Sequence, residues 1–252
     1  MKILALLFFL TAIIYSSVGF GGGSTYTAIL VLFDIDYRHI PVISLCCNII
    51  VVTTGSVFYL RQGLLDKKLL GGLITFSIPM AFIGGSMPIS EMVFVLILGL
   101  ALLIASILLF IKPFEDSNVK RSINYWQTGI LIGAPVGLLA GITGIGGGIF
   151  LAPILHLRAL AKTRTIAATA CMFILVNSLA GLMGQLVKLG SNLDQSFDML
   201  VSLLALPFAV LIGGLIGNRI ALKYFNAMQL RRMTALLVFI VAIRLLVRFI
   251  NY

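Results

Sequence analysis

Two glycine clusters carry the chemistry of this sequence: Gly19-Phe20-Gly21-Gly22-Gly23-Ser24 and Gly144-Ile145-Gly146-Gly147-Gly148-Ile149. Consecutive glycines lose the most backbone entropy in a helix and expose peptide groups, so each cluster is expected to break one. Where a helix restarts, its first amides have no acceptor within the helix and that end carries a partial positive charge. Such an end binds anions, tetrahedral oxyanions included, without any charged side chain. Gly21, Gly22, Gly23, Ser24 and Thr25 are therefore candidate solute-binding residues in the first cluster, and Thr143, Gly144, Gly146, Gly147 and Gly148 in the second. A dinucleotide-binding G-x-G-x-x-G is not present: its final glycine is Ser24 in one cluster and Ile149 in the other, with no βαβ unit around either.

Polar residues within the apolar runs that follow form a second set: Asn48, Thr53 and Thr54 after the first cluster, Asn177, Ser178 and Gln185 after the second. Polar groups at membrane depth need partners, and Asn48 and Asn177 join the candidate binding residues. None of the eight acids falls in the middle of an apolar run, which argues against a cation site or an intramembrane proton relay. Cys46, Cys47 and Cys171 all lie in apolar segments, and His39 and His156 stand far apart. No metal-ligand spacing results. No metal, cofactor or catalytic residue is expected, and the chain is read as a carrier rather than an enzyme.

The elements that must position these groups are membrane helices. Of 252 residues, 60% are apolar and 10% charged, with a mean hydropathy of +1.15, whereas soluble domains are about 25% charged. Lipid is the expected surrounding, and nucleic acid is not an expected partner despite the net charge of +10. Six stretches suit a crossing of roughly 20 residues: Ile40–Leu60, Leu69–Met87, Met92–Ile111, Ile166–Val187, Met199–Gly217 and Met233–Ile250. Ile3–Phe33 and Gly129–Leu157, each broken by a glycine cluster, are too long for one crossing and too short for two. Charge decides how they run. If both crossed, ten cations would face eight. If both return to their own side as re-entrant hairpins, 13 of the 18 cations and three of the eight acids share one face. The positive-inside rule selects the hairpins and puts that face in the cytoplasm, with both termini outside. Lys2 followed by Ile3–Ile14 also has the form of a secretory signal, but the matching pattern at Gly144 argues that the segment is retained.

The clusters lie 125 residues apart, and Cys46 and Cys171 keep that offset. Ser77-Ile-Pro79 with Gly84-Gly85 in one half answers Ala205-Leu-Pro207 with Gly213-Gly214 in the other. Residues 1–114 and 128–252 are expected to be repeats, joined by a linker, 115–127, whose polar core Glu115–Asn124 is cytoplasmic. Each repeat holds one hairpin and three crossings, and an odd number of crossings inverts the second copy. The expected fold is an all-α membrane protein, a polytopic bundle of two inverted repeats whose glycine tips approach each other near the midplane, an architecture of secondary transporters.

The paired Gly-x-Gly-Gly-Gly unit and the Pro then Gly-Gly signature of the third crossing resemble the TauE/SafE family of sulfite and organosulfonate exporters, over Ile3 to Ile250. The resemblance implies a multi-pass carrier in a bacterial-type inner membrane, moving a small inorganic or organic sulfur anion, with lipid as its only other partner. The second tip departs from the first in continuing Ile149-Phe150 where the first has hydroxyls. Two rival readings remain: a membrane thiol–disulfide electron carrier using Cys46 and Cys171, and an anion channel.

Overall fold

A computed structural model describes residues 2–18, 21–110, 124–190, 205–220 and 227–250, and every regular element among them is helical. Ten helices follow in chain order: α1 Lys2–Val18, α2 Gly23–Leu32, α3 Ile40–Arg61, α4 Lys67–Ser86, α5 Glu91–Phe110, α6 Tyr125–Thr143, α7 Gly148–Leu157, α8 Thr163–Leu189, α9 Ala205–Ile220 and α10 Ala227–Ile250. Long apolar runs take this form because lipid offers the backbone no hydrogen-bond partner. Of the described helices, α3, α4, α5, α6 and α8 are long and apolar enough to cross a membrane. Ile107, Leu131, Phe208 and Leu215 point outward, as suits lipid rather than water. Polar residues mark helix starts at the ends of the bundle. Asp66 accepts hydrogen bonds from the amides of Lys68 and Leu69 to cap α4, and Asn124 accepts one from Gln127 to cap α6.

That Asn124 cap starts the second overlong stretch at Tyr125, ahead of the expected Gly129, and α6 passes through a π turn at Gly129–Gly133. Its 19 residues are enough for a crossing and the 17 of α1 nearly so, while the return legs α2 and α7 have ten residues each. The legs are therefore unequal, where the sequence suggested two short ones. Apart from Asn124, the expected linker Glu115–Asn124 lies outside the described residues, as do residues 199–204 of the fifth expected crossing.

Packing depends on glycines that let backbones touch, since lipid provides little hydrophobic drive between helices. Gly129, Gly133, Gly137 and Gly141 form a stripe along α6, and a β-carbon on any of them would collide with the carbonyls of Gly72, Leu73, Ser77 and Ala81 on α4, respectively. The ascending pairs show that α4 and α6 run parallel. On the other side of the bundle the glycines belong to α9: Gly213 and Gly217 press on the carbonyls of Phe9 and Ile13 of α1. Between these pairs α3 and α8 cross antiparallel, with Leu45 beside Gly181 and the Val52 carbonyl beside Cys171.

Candidate functional site

In both glycine clusters the described residues turn sharply. Gly22, just before α2, has φ 76°, and Gly144, Gly146 and Gly147 before α7 have φ 77°, 78° and 83°. Side chains seldom adopt this left-handed backbone, so glycine is required there. Each turn sends the chain back along its first leg. Gly22 lies against Tyr15 and Thr11 of α1, Tyr15 Oη and Thr25 Oγ1 share a hydrogen bond of 2.8 Å, and Phe8 stacks on Tyr26 at 4.8 Å. Gly147 lies against Val136 and Ala140 of α6. The return helices thus begin inside the bundle, with their first residues buried.

The two turns meet at Asn48. This residue sits about 12 Å along α3, itself about 33 Å long, and is fully buried. Its Nδ2 donates to the Ile145 carbonyl of the second tip at 3.0 Å. From the first tip, a β-carbon on Gly21 would strike Asn48 Oδ1, and one on Gly23 would strike both Asn48 Nδ2 and the Ile145 carbonyl. A β-carbon on Gly146 would lie 2.8 Å from Asn48 Nδ2 and 2.9 Å from Ser178 Oγ of α8. One carboxamide therefore touches both hairpins, with Ser178 closing the far side. Asn48 Oδ1 and Ser178 Oγ are buried without a hydrogen-bond partner.

The candidate residues sort by what they touch. Gly21, Gly23 and Gly146 face Asn48, and Gly148 faces Ile174 of α8. Gly22 and Gly147 lie on the hairpin side of their turns. Ser24 and Thr25 are buried on the first turn of α2, with Thr25 engaged by Tyr15. Gly144 packs on Pro41 at the start of α3, which makes it a structural contact between tip and helix. Thr143 Oγ1 donates to Leu139 of its own helix at 2.6 Å, and Asn177 Nδ2 donates to Phe173 of its own helix at 2.8 Å. Neither side chain bonds Asn48. Thr53 and Thr54 bond back to Ile49 and Val51, while Gln185 ties α8 to the Gly141 carbonyl of α6. Sequence reasoning missed Ser44, which accepts from Thr27 Oγ1 at 3.0 Å and donates to the Gly23 carbonyl at 3.1 Å. Its spacing four residues before Asn48 puts both on one face of α3, a signal that was there to be read.

Among the described residues, charge stays at the ends of the bundle. Asp34, Asp36 and Glu91 line a cavity of about 300 Å³ together with Tyr37, Arg38 and Arg248, away from the glycine tips. Among the described residues no group of three His, Cys, Asp or Glu side chains could hold a metal. Cys171 donates weakly to the Val52 carbonyl at 3.5 Å and lies 3.6 Å from Ser56 Oγ. Val52 is six residues, about 9 Å of helix, beyond Cys46, and all three cysteines are free thiols. This geometry gives no support to a Cys46–Cys171 redox pair.

A bundle of apolar helices interrupted by two inward-turned, glycine-broken hairpins defines a polytopic helical membrane protein with the discontinuous helices of transporters. Residues 4–245 match the family described as Sulfite exporter TauE/SafE, and the chain belongs to that family. Over 249 residues, 96% of this chain and 97% of the relative, it is 29% identical to the "Probable membrane transporter protein y4hK" of Sinorhizobium fredii. No solved structure matches it. The chain is thus a multi-pass membrane transporter.

Proposed function

We propose that the chain is a secondary transporter, a permease or exporter, that carries a small sulfur-containing anion such as sulfite or an organosulfonate across a bacterial-type inner membrane. The solute is bound near the midplane between the two glycine tips. The observation that carries this reading is the meeting of both tips at one buried carboxamide: Asn48 bonds Ile145 of the second and abuts Gly21 and Gly23 of the first. Two helix N-termini then supply amides and partial positive charge to one small volume. The described carboxylates, Asp34, Asp36, Asp66 and Glu91, all lie outside helix interiors. The family's description supports a sulfur oxyanion.

The same reading takes the halves as inverted repeats, the termini as outside and the linker as cytoplasmic. Its support is the antiparallel crossing of α3 and α8 and the recurrence of backbone signs at the 125-residue offset. Gly22 and Gly147 are left-handed, and so are Asp34 and Ala159, at φ 51° and 50°. Transport assays in proteoliposomes against sulfite, thiosulfate, sulfonates, sulfate and small carboxylates test the proposal. Saturable flux favouring the sulfur anions is expected; flux confined to carboxylates, or none, overturns it. Flux that never saturates would instead identify a channel.

A further inference from the structure

Asn48 has one orientation available to it. Its Nδ2 donates to the Ile145 carbonyl, and turning the amide over would set two carbonyl oxygens against each other. Oδ1 therefore faces Gly21, fully buried and without a donor. A buried acceptor left unpaired keeps its desolvation cost, and such groups call for an explanation. This one lies between two helix N-termini whose amides offer only donors. A fully deprotonated oxyanion presents acceptors alone: it would satisfy the amides and oppose Asn48 Oδ1. A singly charged anion that keeps a hydroxyl presents both.

We infer that the solute held between the tips is a monoanion bearing its own O–H or N–H, with Asn48 Oδ1 accepting that hydrogen while the amides of the tips hold the charged oxygens. The inference rests on the transport reading above and narrows its substrate class. Ser178 Oγ, the other unpartnered group at Gly146, can donate or accept and so fits either face of such a solute. The elements packed on Asn48 present glycines, Ile145, Ile174 and Ser178, none of which titrates. The titratable groups in the adjoining turns are the thiols of Cys46 and Cys47, the Cys171 thiol of α8 beside Val52, and the phenols of Tyr15 and Tyr26, side-chain types that are uncharged in water at neutral pH. The proton that accompanies the charge therefore rides on the solute, and no side chain at the tips needs to relay it.

The test uses the full chain in proteoliposomes and two matched comparisons. Methanesulfonate and hydroxymethanesulfonate carry the same charge, but only the second has a hydroxyl; each is measured as a competitor of sulfite counterflow. Hydroxymethanesulfonate is expected to compete at least tenfold better. Sulfite flux, measured across the pH range in which sulfite loses its second proton, is expected to follow the monoanion, falling tenfold for each tenfold drop in that species. Asn48→Leu, checked for insertion and melting temperature, should abolish the preference between the sulfonates. Should that variant misfold, the two wild-type comparisons decide alone. Equal competition by both sulfonates, or flux that follows the dianion, overturns the inference and leaves sulfur-anion transport standing. Absence of saturable flux for every sulfur anion overturns both.

Discussion

The two hairpins share a backbone and little else. Gly22 and Gly147 make the same left-handed turn at equivalent positions, and the return legs end alike at Asp34 and Ala159 with almost equal positive φ. The side chains diverge. The first tip is tied by hydroxyls, Tyr15 to Thr25 and Thr27 through Ser44 to the Gly23 carbonyl, whereas Ile149 and Phe150 occupy the positions of Ser24 and Thr25 in the second. Both first legs are close-packed through glycine, but the second hairpin carries the glycines itself, four of them on α6 against α4, whereas α1 receives Gly213 and Gly217 from α9. At the far end of the return leg, Asp34 pairs with Arg244 at 3.6 Å and Arg248 at 3.9 Å, and Arg248 pairs with Glu91 at 2.9 Å. Ala159 has no carboxylate to offer. The two hairpins thus share their turn geometry and a glycine-packed first leg, and differ in that only the first adds hydroxyl ties at its tip.

The comparison breaks most completely at the tips. Gly146→Leu must hold φ 78° and enter the space of Asn48 and Ser178; well-inserted protein should lose flux to background in a proteoliposome assay. Normal flux would remove the second tip from the solute path. Next is the glycine stripe. Gly137→Leu should force α6 off the Ser77 carbonyl of α4 and cost about 1–3 kcal/mol, lowering the melting temperature in detergent. Gly213→Leu on α9, whose side chain would strike the Phe9 carbonyl of α1, should lower melting in the same way, whereas Gly214→Leu, where a β-carbon meets open space, should leave it unchanged. Thr25→Val removes the Tyr15 bond and should cost about 1 kcal/mol, while Phe150→Leu at the equivalent position should alter packing without a polar loss; equal effects would deny that the fastenings differ.

Smaller effects are expected at the ends. Asp34 and its arginines are largely exposed, so Asp34→Asn should cost less than about 1 kcal/mol, and less still in high salt. His39, at the start of α3, is buried with both ring nitrogens unpartnered. Burial lowers its pKa below the usual 6.5, Asp36 opposing and Arg38 adding to the shift. The unfolded chain then takes up the proton first as pH falls. The melting temperature should accordingly show no His39 contribution above about pH 6.5 and decline below it, a slope that His39→Gln removes.

Much of this was legible before any coordinates. Glycine runs inside lipid-length apolar segments leave few options, and the helices at Ile40, Lys67 and Glu91 begin within two residues of where hydropathy put them. The breaks at Gly22 and Gly144–Gly147 followed from the glycine runs themselves. The unequal legs did not, because a capping asparagine at 124 outweighs apolar periodicity in setting where α6 begins. Nor did the division of labour among polar residues. Asn48 and Asn177 look alike in sequence, yet one faces both tips and the other bonds its own helix, a difference set by rotation about the helix axis that composition does not encode. The α6 stripe, four glycines at intervals of four, is by spacing alone a signature of close packing on one helix face.

The central claim is that both tips hold one solute at Asn48. A density map of the protein in lipid nanodiscs with selenite, a heavier stand-in for sulfite, tests it directly. The geometry predicts one added peak between Gly21–Gly23 and Ile145–Gly147, within hydrogen-bond reach of Asn48 Oδ1. A peak found only in the end cavity beside Arg38 and Arg248, with the tips unchanged and empty, would contradict it.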